Sequence, residues 1–243
     1  MTDSSGVALH HADALDCRVV DFDWRFARER ADEIDRHWEV LREQRPALFN
    51  GRVFLTCGYE IAKEAGKTIF RSQHFETDFK AFIAWRDFAF ADPDVAVCFS
   101  AAALRGADGG YVLGRMGDRT ANAGRIYFPA GTPDPGDVRD GRLDLHGSVL
   151  RELKEETGLA PPDVVVDEGW TVAIDGPRLG CLKPVVCGRP AVVLARAIED
   201  FLARDPEPEL SGAYCVHSAA DLLQGVMPDY ILAYLRQRIA GDV

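Results

Sequence analysis

Apolar residues along this chain fall into short periodic runs separated by Gly, Pro and Asp. From Trp24 to Gln44 the apolar positions Ala27, Ala31, Ile34, Trp38 and Leu41 step by four, three, four and three, with charge filling the rest. That spacing predicts an amphipathic helix, which Pro46 ends. RVFLTCGYEI (52–61) and TIFRSQHF (68–75) are rich in β-formers and predict two strands across a Gly-Lys break at 66–67. Helical spacing returns in DFKAFIAWRDFAF and predicts a short helix over 78–87, its aromatics assigned to a core. ADPD (91–94) is a turn and a boundary.

Beyond that turn, VAVCFSAAALRG (95–106) and YVLGRMG (111–117) flank ADGG. Asp-Gly between two apolar runs predicts a hairpin. RIYFPAG (125–131) reads as a third strand, and TPDPGDVRDGRLD (132–144) as a loop. A helix follows. Asp144 is its candidate N-cap, Val149, Leu150 and Leu153 its buried side, and Gly158 its stop. Strands are expected at 164–174, 181–187 and 213–217, and helices at about 190–204 and from Pro228 to about Ala240. Three parts are expected: a flexible tail over 1–16, an α+β extension over 17–92, and a domain over 93–243 that carries the chemistry.

With 47% apolar residues in 243, the chain has enough material for a packed core. Its formal net charge of −11 argues against nucleic-acid or acidic-membrane partners, which want a basic stripe. It leaves room for an anionic small molecule where a local cation reverses the field. No apolar run approaches the ~18 residues of a membrane span. The opening segment is polar and acidic, without the basic and apolar regions of a secretory signal. Six scattered cysteines, with no C-x-x-C, are expected to be free thiols of a reducing cytoplasm.

The chemistry concentrates in RELKEETGL (151–159). Glu152, Glu155 and Glu156 stand at i, i+3 and i+4, on one helical face, where they repel one another. A positive group is expected among them. Clustered carboxylates suit a hard divalent cation, Mg²⁺ or Mn²⁺, which keeps several waters and completes its shell with substrate phosphate. A spare glutamate beside it can take a proton from water.

These residues resemble the Nudix box: Gly, five residues, Glu, seven residues, then Arg-Glu-aliphatic-x-Glu-Glu-x-Gly-aliphatic. Arg151, Glu152, Leu153, Glu155, Glu156, Gly158 and Leu159 match its second half throughout, and FPAG (128–131) is similar to its opening. The resemblance covers about residues 93–225. It implies an α/β fold, an α/β/α sandwich with a mixed central sheet, here with the N-terminal α+β extension added. It also implies metal ligation by Glu155 and Glu156, with Glu152 as ligand or general base. Arg151 would orient the helix, and the backbone carbonyl of Ala130 or Gly131 would join the metal. The first half departs from the box. Residues 132–150, nineteen in all, separate Gly131 from Arg151 where the box has thirteen, and Leu143 stands where the box has its first glutamate. Asp140 or Asp144 is expected to brace Arg151 instead.

A further carboxylate is expected from the loop before the late strand, with Glu209 the first choice and Glu207 the second. Arg125 is a candidate phosphate contact, and His146 is expected to be a surface residue. The implied function is metal-dependent hydrolysis of the diphosphate bridge in a nucleoside diphosphate linked to another group, such as a nucleotide sugar or ADP-ribose. The alternative is a domain of the same type that binds a nucleotide or metabolite without turnover. The extension loosely resembles the leading region of UDP-sugar diphosphatases of the family, and such extensions imply a possible homodimer.

Overall fold

The computed structural model describes residues 6–46, 48–118, 120 and 122–241. Its centre is a mixed sheet in the order β1 (Ala8–Ala12), β12 (Trp170–Asp175), β13 (Arg178–Cys187), β5 (Val97–Arg105), β6 (Tyr111–Met116), β14 (Leu210–Val216). Strands β13 and β5 run parallel. The short strands β7 (Ile126–Tyr127), β8 (Ala130–Gly131) and β11 (Val164–Val166) pair with β6, β5 and β13.

The pleat of β5 divides the core. Ala102 and Leu104 pack with Val149 and Leu153 of α4 (Leu145–Thr157) and with Leu194 and Ile198 of α5 (Ala191–Leu202). Ala101 and Ala103 face the other way, toward Ile231, Tyr234 and Leu235 of α6 (Asp229–Gly241). Because successive strand residues point to opposite faces, an apolar run such as VAVCFSAAAL suits a strand covered on both sides. The outcome is the α/β/α sandwich.

A second mixed sheet has the order β3 (Arg52–Glu64), β4 (Lys67–Asp78), β2 (Ala14–Val19), β10 (Arg142–Leu143), β9 (Val138–Arg139). Its strands β3 and β4 pack with α1 (Arg25–Glu29), α2 (Ala31–Gln44) and α3 (Phe79–Asp87) around an aromatic core that includes Trp24, Phe75, Phe82 and Trp85. The aromatics of 78–87 are core residues, as expected. Among the described residues no helix is long and apolar enough to cross a membrane.

Three expectations need correction. Residues 8–16 are not a tail: β1 pairs antiparallel with β12, from Ala8 opposite Ile174 to Ala12 opposite Trp170, and β2 runs parallel to β4. The polar ALHHADALD pattern hid them. Val7, Ala12 and Cys17 are buried and Leu9 and Leu15 pack against the core, while His11, Asp13 and Arg18 stay exposed. Residues 1–5 of the expected tail lie outside the described residues. The expected single helix over 24–44 breaks at Arg30, whose guanidinium stacks on the rings of Phe26 and Phe88 at 5.1 and 4.7 Å. Finally, 132–144 is more than a loop. Pro135–Asp137 form a 3-10 turn, and β9 and β10 form a hairpin turning at Asp140-Gly141, with φ of 49° and 73°. An Asp-Gly pair with both residues at positive φ is the two-residue hairpin turn, the same signal read at ADGG. The residues added to the box loop thus extend the N-terminal sheet, where Asp16 holds both Arg18 and Arg142.

Candidate active site

Helix α4 is fixed at both ends. The Asp144 carboxylate accepts from the Gly147 N–H at 2.9 Å, and Gly158 closes the helix with φ 73°. Leu153 is fully buried beneath the helix, which turns Glu152, Glu155 and Glu156 toward the β8 side and solvent.

The positive group expected among the glutamates is in part Arg151 itself. Its guanidinium donates to Glu152 at 2.8 Å and to Glu155 at 3.4 Å, and grips both oxygens of Asp137 at 3.1 and 3.0 Å. Asp137 is therefore the brace, and the expectation of Asp140 or Asp144 is corrected. Asp140 sits in the hairpin turn and Asp144 is the helix cap. Asp137 reaches Arg151 because the 3-10 turn folds the loop back, and its own carboxylate accepts from the Asp134 N–H. Leu143 lies in the core. Neither the turn nor this contact has a simple spacing in sequence, so Asp137 escaped the motif.

The three glutamates differ sharply. Glu155 turns outward, its side chain 60% exposed. Glu152 and Glu156 lie inward. Burial pushes the Glu152 carboxyl up, Arg151 pulls it back, Glu155 and Glu209 add to the rise, and it stands at about 7. Glu156 is only 5% exposed. Burial, then Glu152 and Glu209, push it up to about 9, against a backbone hydrogen bond from Ala130. Its Oε2 is buried with no hydrogen-bond partner. The other buried side-chain oxygens without partners among the described residues, Ser148 and Ser100, lie along the same contact of α4 with β5 and β8.

Gly131 explains the close approach. A Cβ at that position would overlap the Glu152 carboxylate, so glycine leaves room for that side chain in its present position between α4 and β8. Tyr127, which sequence reading did not single out, lies in the electrostatic reach of Glu152, Glu156 and Glu209 and accepts from Asn122 at 3.2 Å. Glu209 is exposed on the loop before β14, yet its charge acts on both inward glutamates. Glu207 and His146 are exposed.

Beside Ala130, Gly131 and Tyr127 opens a cleft of about 500 Å³. Arg125 lines it and donates to the Gly225 carbonyl at 3.0 Å. Phe82 and Arg86 of α3 line it too, so the N-terminal region contributes a wall.

The donor atoms here are all oxygens, the local charge is negative, and one buried carboxylate oxygen has no partner. That chemistry fits a hard divalent cation rather than zinc or a redox metal. The side chains do not form a closed cage: among the described residues no group of three or more His, Cys, Asp or Glu is gathered tightly enough to hold an ion by itself. The outward turn of Glu155 accounts for this.

No protein-family model matches the chain, and no curated protein matches it. Solved structures do resemble it. A Nudix hydrolase from M. smegmatis, RenU, is 14% identical, with 60% of this chain and 85% of that one covered at a TM-score of 0.39. A MutT protein from Methanosarcina mazei Go1 is 20% identical over 60% of this chain and 95% of its own, at 0.37. The NUDIX domain of Shewanella oneidensis NrtR, solved with ADP ribose, is 16% identical over 65% and 97%, at 0.39.

Proposed function

We propose that this chain is a Nudix-type diphosphatase, using Mg²⁺ or Mn²⁺ to hydrolyse the diphosphate bridge of a nucleoside diphosphate linked to another group. The observation that carries the reading is Glu156: a buried carboxylate with an orphaned oxygen, beside the largely covered Glu152 and hydrogen-bonded to Ala130, which lines a cleft. Burial of this kind disfavours the charged form, so the metal-free carboxyl keeps its proton, and a cation at the site would compensate the charge once the proton leaves.

Glu156 and Glu152, with the Ala130 carbonyl, are the residues that would hold the metal, and Glu155 would complete the set only by turning inward from its exposed position. When bound, it neutralises phosphate charge and sharpens water as a nucleophile. Glu152, with a carboxyl at about 7, is suited to take the proton from the attacking water near neutral pH. Arg151, anchored by Asp137, fixes the rotamer of Glu152. Glu209 adds negative charge on the open side and is the downstream carboxylate of the set. Arg125 meets a phosphate oxygen in the cleft.

The outward turn of Glu155 favours a second reading, a domain that binds a nucleotide without turnover. A turnover panel decides between them: nucleotide sugars, ADP-ribose and dinucleoside polyphosphates, each with Mg²⁺, Mn²⁺ or chelator. Metal-dependent release of a nucleoside monophosphate supports the hydrolase. Binding without product from any compound supports the second reading and overturns the first.

A further inference from the structure

The cleft beside β8 has a feature that phosphate chemistry alone does not use. Its far wall holds Phe90, from the turn after α3, and Arg178, the first residue of β13. The Arg178 guanidinium lies 4.8 Å from the centre of the Phe90 ring. Both side chains are half-exposed, and Arg178 pairs with Asp175 at 3.9 Å, with Asp229 lining the same cleft. Phe90 is held firmly from behind. Its ring meets Trp85 edge-on at 4.9 Å, its N–H donates to the Trp85 carbonyl at 2.9 Å, and Trp85 is fully buried. The turn reaches this arrangement through two consecutive non-glycine residues at positive φ, Ala89 and Phe90, both at 57°. Such backbone is costly and persists where the surroundings impose it.

Resting on the diphosphatase reading, we infer that this Phe90–Arg178 wall receives the aromatic base of the substrate, so that the N-terminal region selects nucleosides over base-free polyphosphates. A planar ring beside a planar guanidinium offers stacking surface to any base, because every base has a π face. Arg125, Ala130 and Gly131 line the same cleft, and Glu156 and Glu152 lie against Ala130 and Gly131, so the phosphates would sit on that side. This gives the extension a role at the site itself: the turn after α3 supplies Phe90 to the specificity surface, and the central sheet supplies Arg178 and the phosphate surface.

The test is calorimetric titration of the full chain, with Mg²⁺ present, by AMP, UMP and ribose 5-phosphate. None has a diphosphate bridge, so binding is read without turnover. AMP and UMP are expected to bind about tenfold or more tightly than ribose 5-phosphate, the scale of one base–aromatic stack. Phe90→Leu and Arg178→Gln should each shrink that gap while leaving ribose 5-phosphate affinity unchanged. Arg178 is on a different element from Phe90, so a folding defect in one variant leaves the other informative, and thermal midpoints identify it. Equal affinity for the three ligands, no binding of AMP or UMP at millimolar concentration, or a gap that survives in a folded variant would each overturn the inference. Failure of the turnover panel with the gap intact would instead remove the hydrolase reading and leave the base wall standing.

Discussion

Replacing Glu156 by Gln should stabilise the metal-free protein. Burial, Glu152 and Glu209 push this carboxyl from its ordinary 4.5 up to about 9. Between those two values the folded chain keeps a proton that the unfolded chain has released. More protons bound in the folded state means that stability falls as pH rises through the window. At about 1.4 kcal/mol per pH unit, the loss between pH 4.5 and pH 8 reaches up to about 5 kcal/mol. Glutamine does not titrate, so it removes this loss. It can still accept the Ala130 hydrogen bond, but its amide N–H groups then occupy the place of the orphaned oxygen, at a cost of about 1–3 kcal/mol. The net expectation at pH 8 is a gain of about 2–4 kcal/mol over the unsubstituted chain in chelator, vanishing or reversing near pH 4.5. Added Mg²⁺ should raise the stability of the unsubstituted chain and leave the variant unmoved. Urea denaturation at the two pH values, with chelator or with Mg²⁺, measures all four quantities. A variant less stable at pH 8, or one that Mg²⁺ stabilises as much as the parent, would refute the reasoning.

Gly131→Ala should displace the Glu152 carboxylate and reduce kcat by on the order of 10²-fold with the fold intact, as circular dichroism and steady-state kinetics would show. Asp137→Asn removes the charge that anchors Arg151; a loss of about 1–3 kcal/mol in urea and a reduced kcat are expected, and wild-type values of both would remove Asp137 as the brace. His74 is buried between the Thr56 and Ser72 hydroxyls, and burial lowers it from 6.5 to about 4. The unfolded chain binds a proton there first, so stability should fall by up to about 3 kcal/mol as pH drops from 6.5 to 4, and His74→Gln should flatten that part of the urea profile.

Much of this molecule was legible because its signals are local. Helix α4 announces itself through Asp144, its apolar stripe and Gly158, and the hairpin of β5 and β6 through Asp-Gly. The same local chemistry marked α5, α6 and the β3–β4 pair. What escaped depends on distant partners. Strand β1 is polar and short, and becomes a strand only because β12 offers an edge 160 residues later. Arg30 breaks a good amphipathic pattern for the sake of two aromatic rings. At the site, the identical letters Glu152, Glu155 and Glu156 hid three different environments, because helical spacing gives direction and not burial. Asp137 was invisible for a related reason: the loop's inserted hairpin decides which aspartate returns to Arg151. The Phe90–Arg178 wall joins residues that no motif connects.

The central claim is that Glu152 and Glu156 form a divalent-cation site. Its most direct test is Mn²⁺ titration calorimetry at pH 8 in two buffers of different ionisation enthalpy, which yields both affinity and protons released. Because Glu156 holds a proton at that pH in the metal-free chain, binding should release about one proton, and Glu156→Gln should lose both the release and the affinity. Absence of Mn²⁺ binding at millimolar concentration, or binding that the substitution leaves unchanged, would contradict the claim.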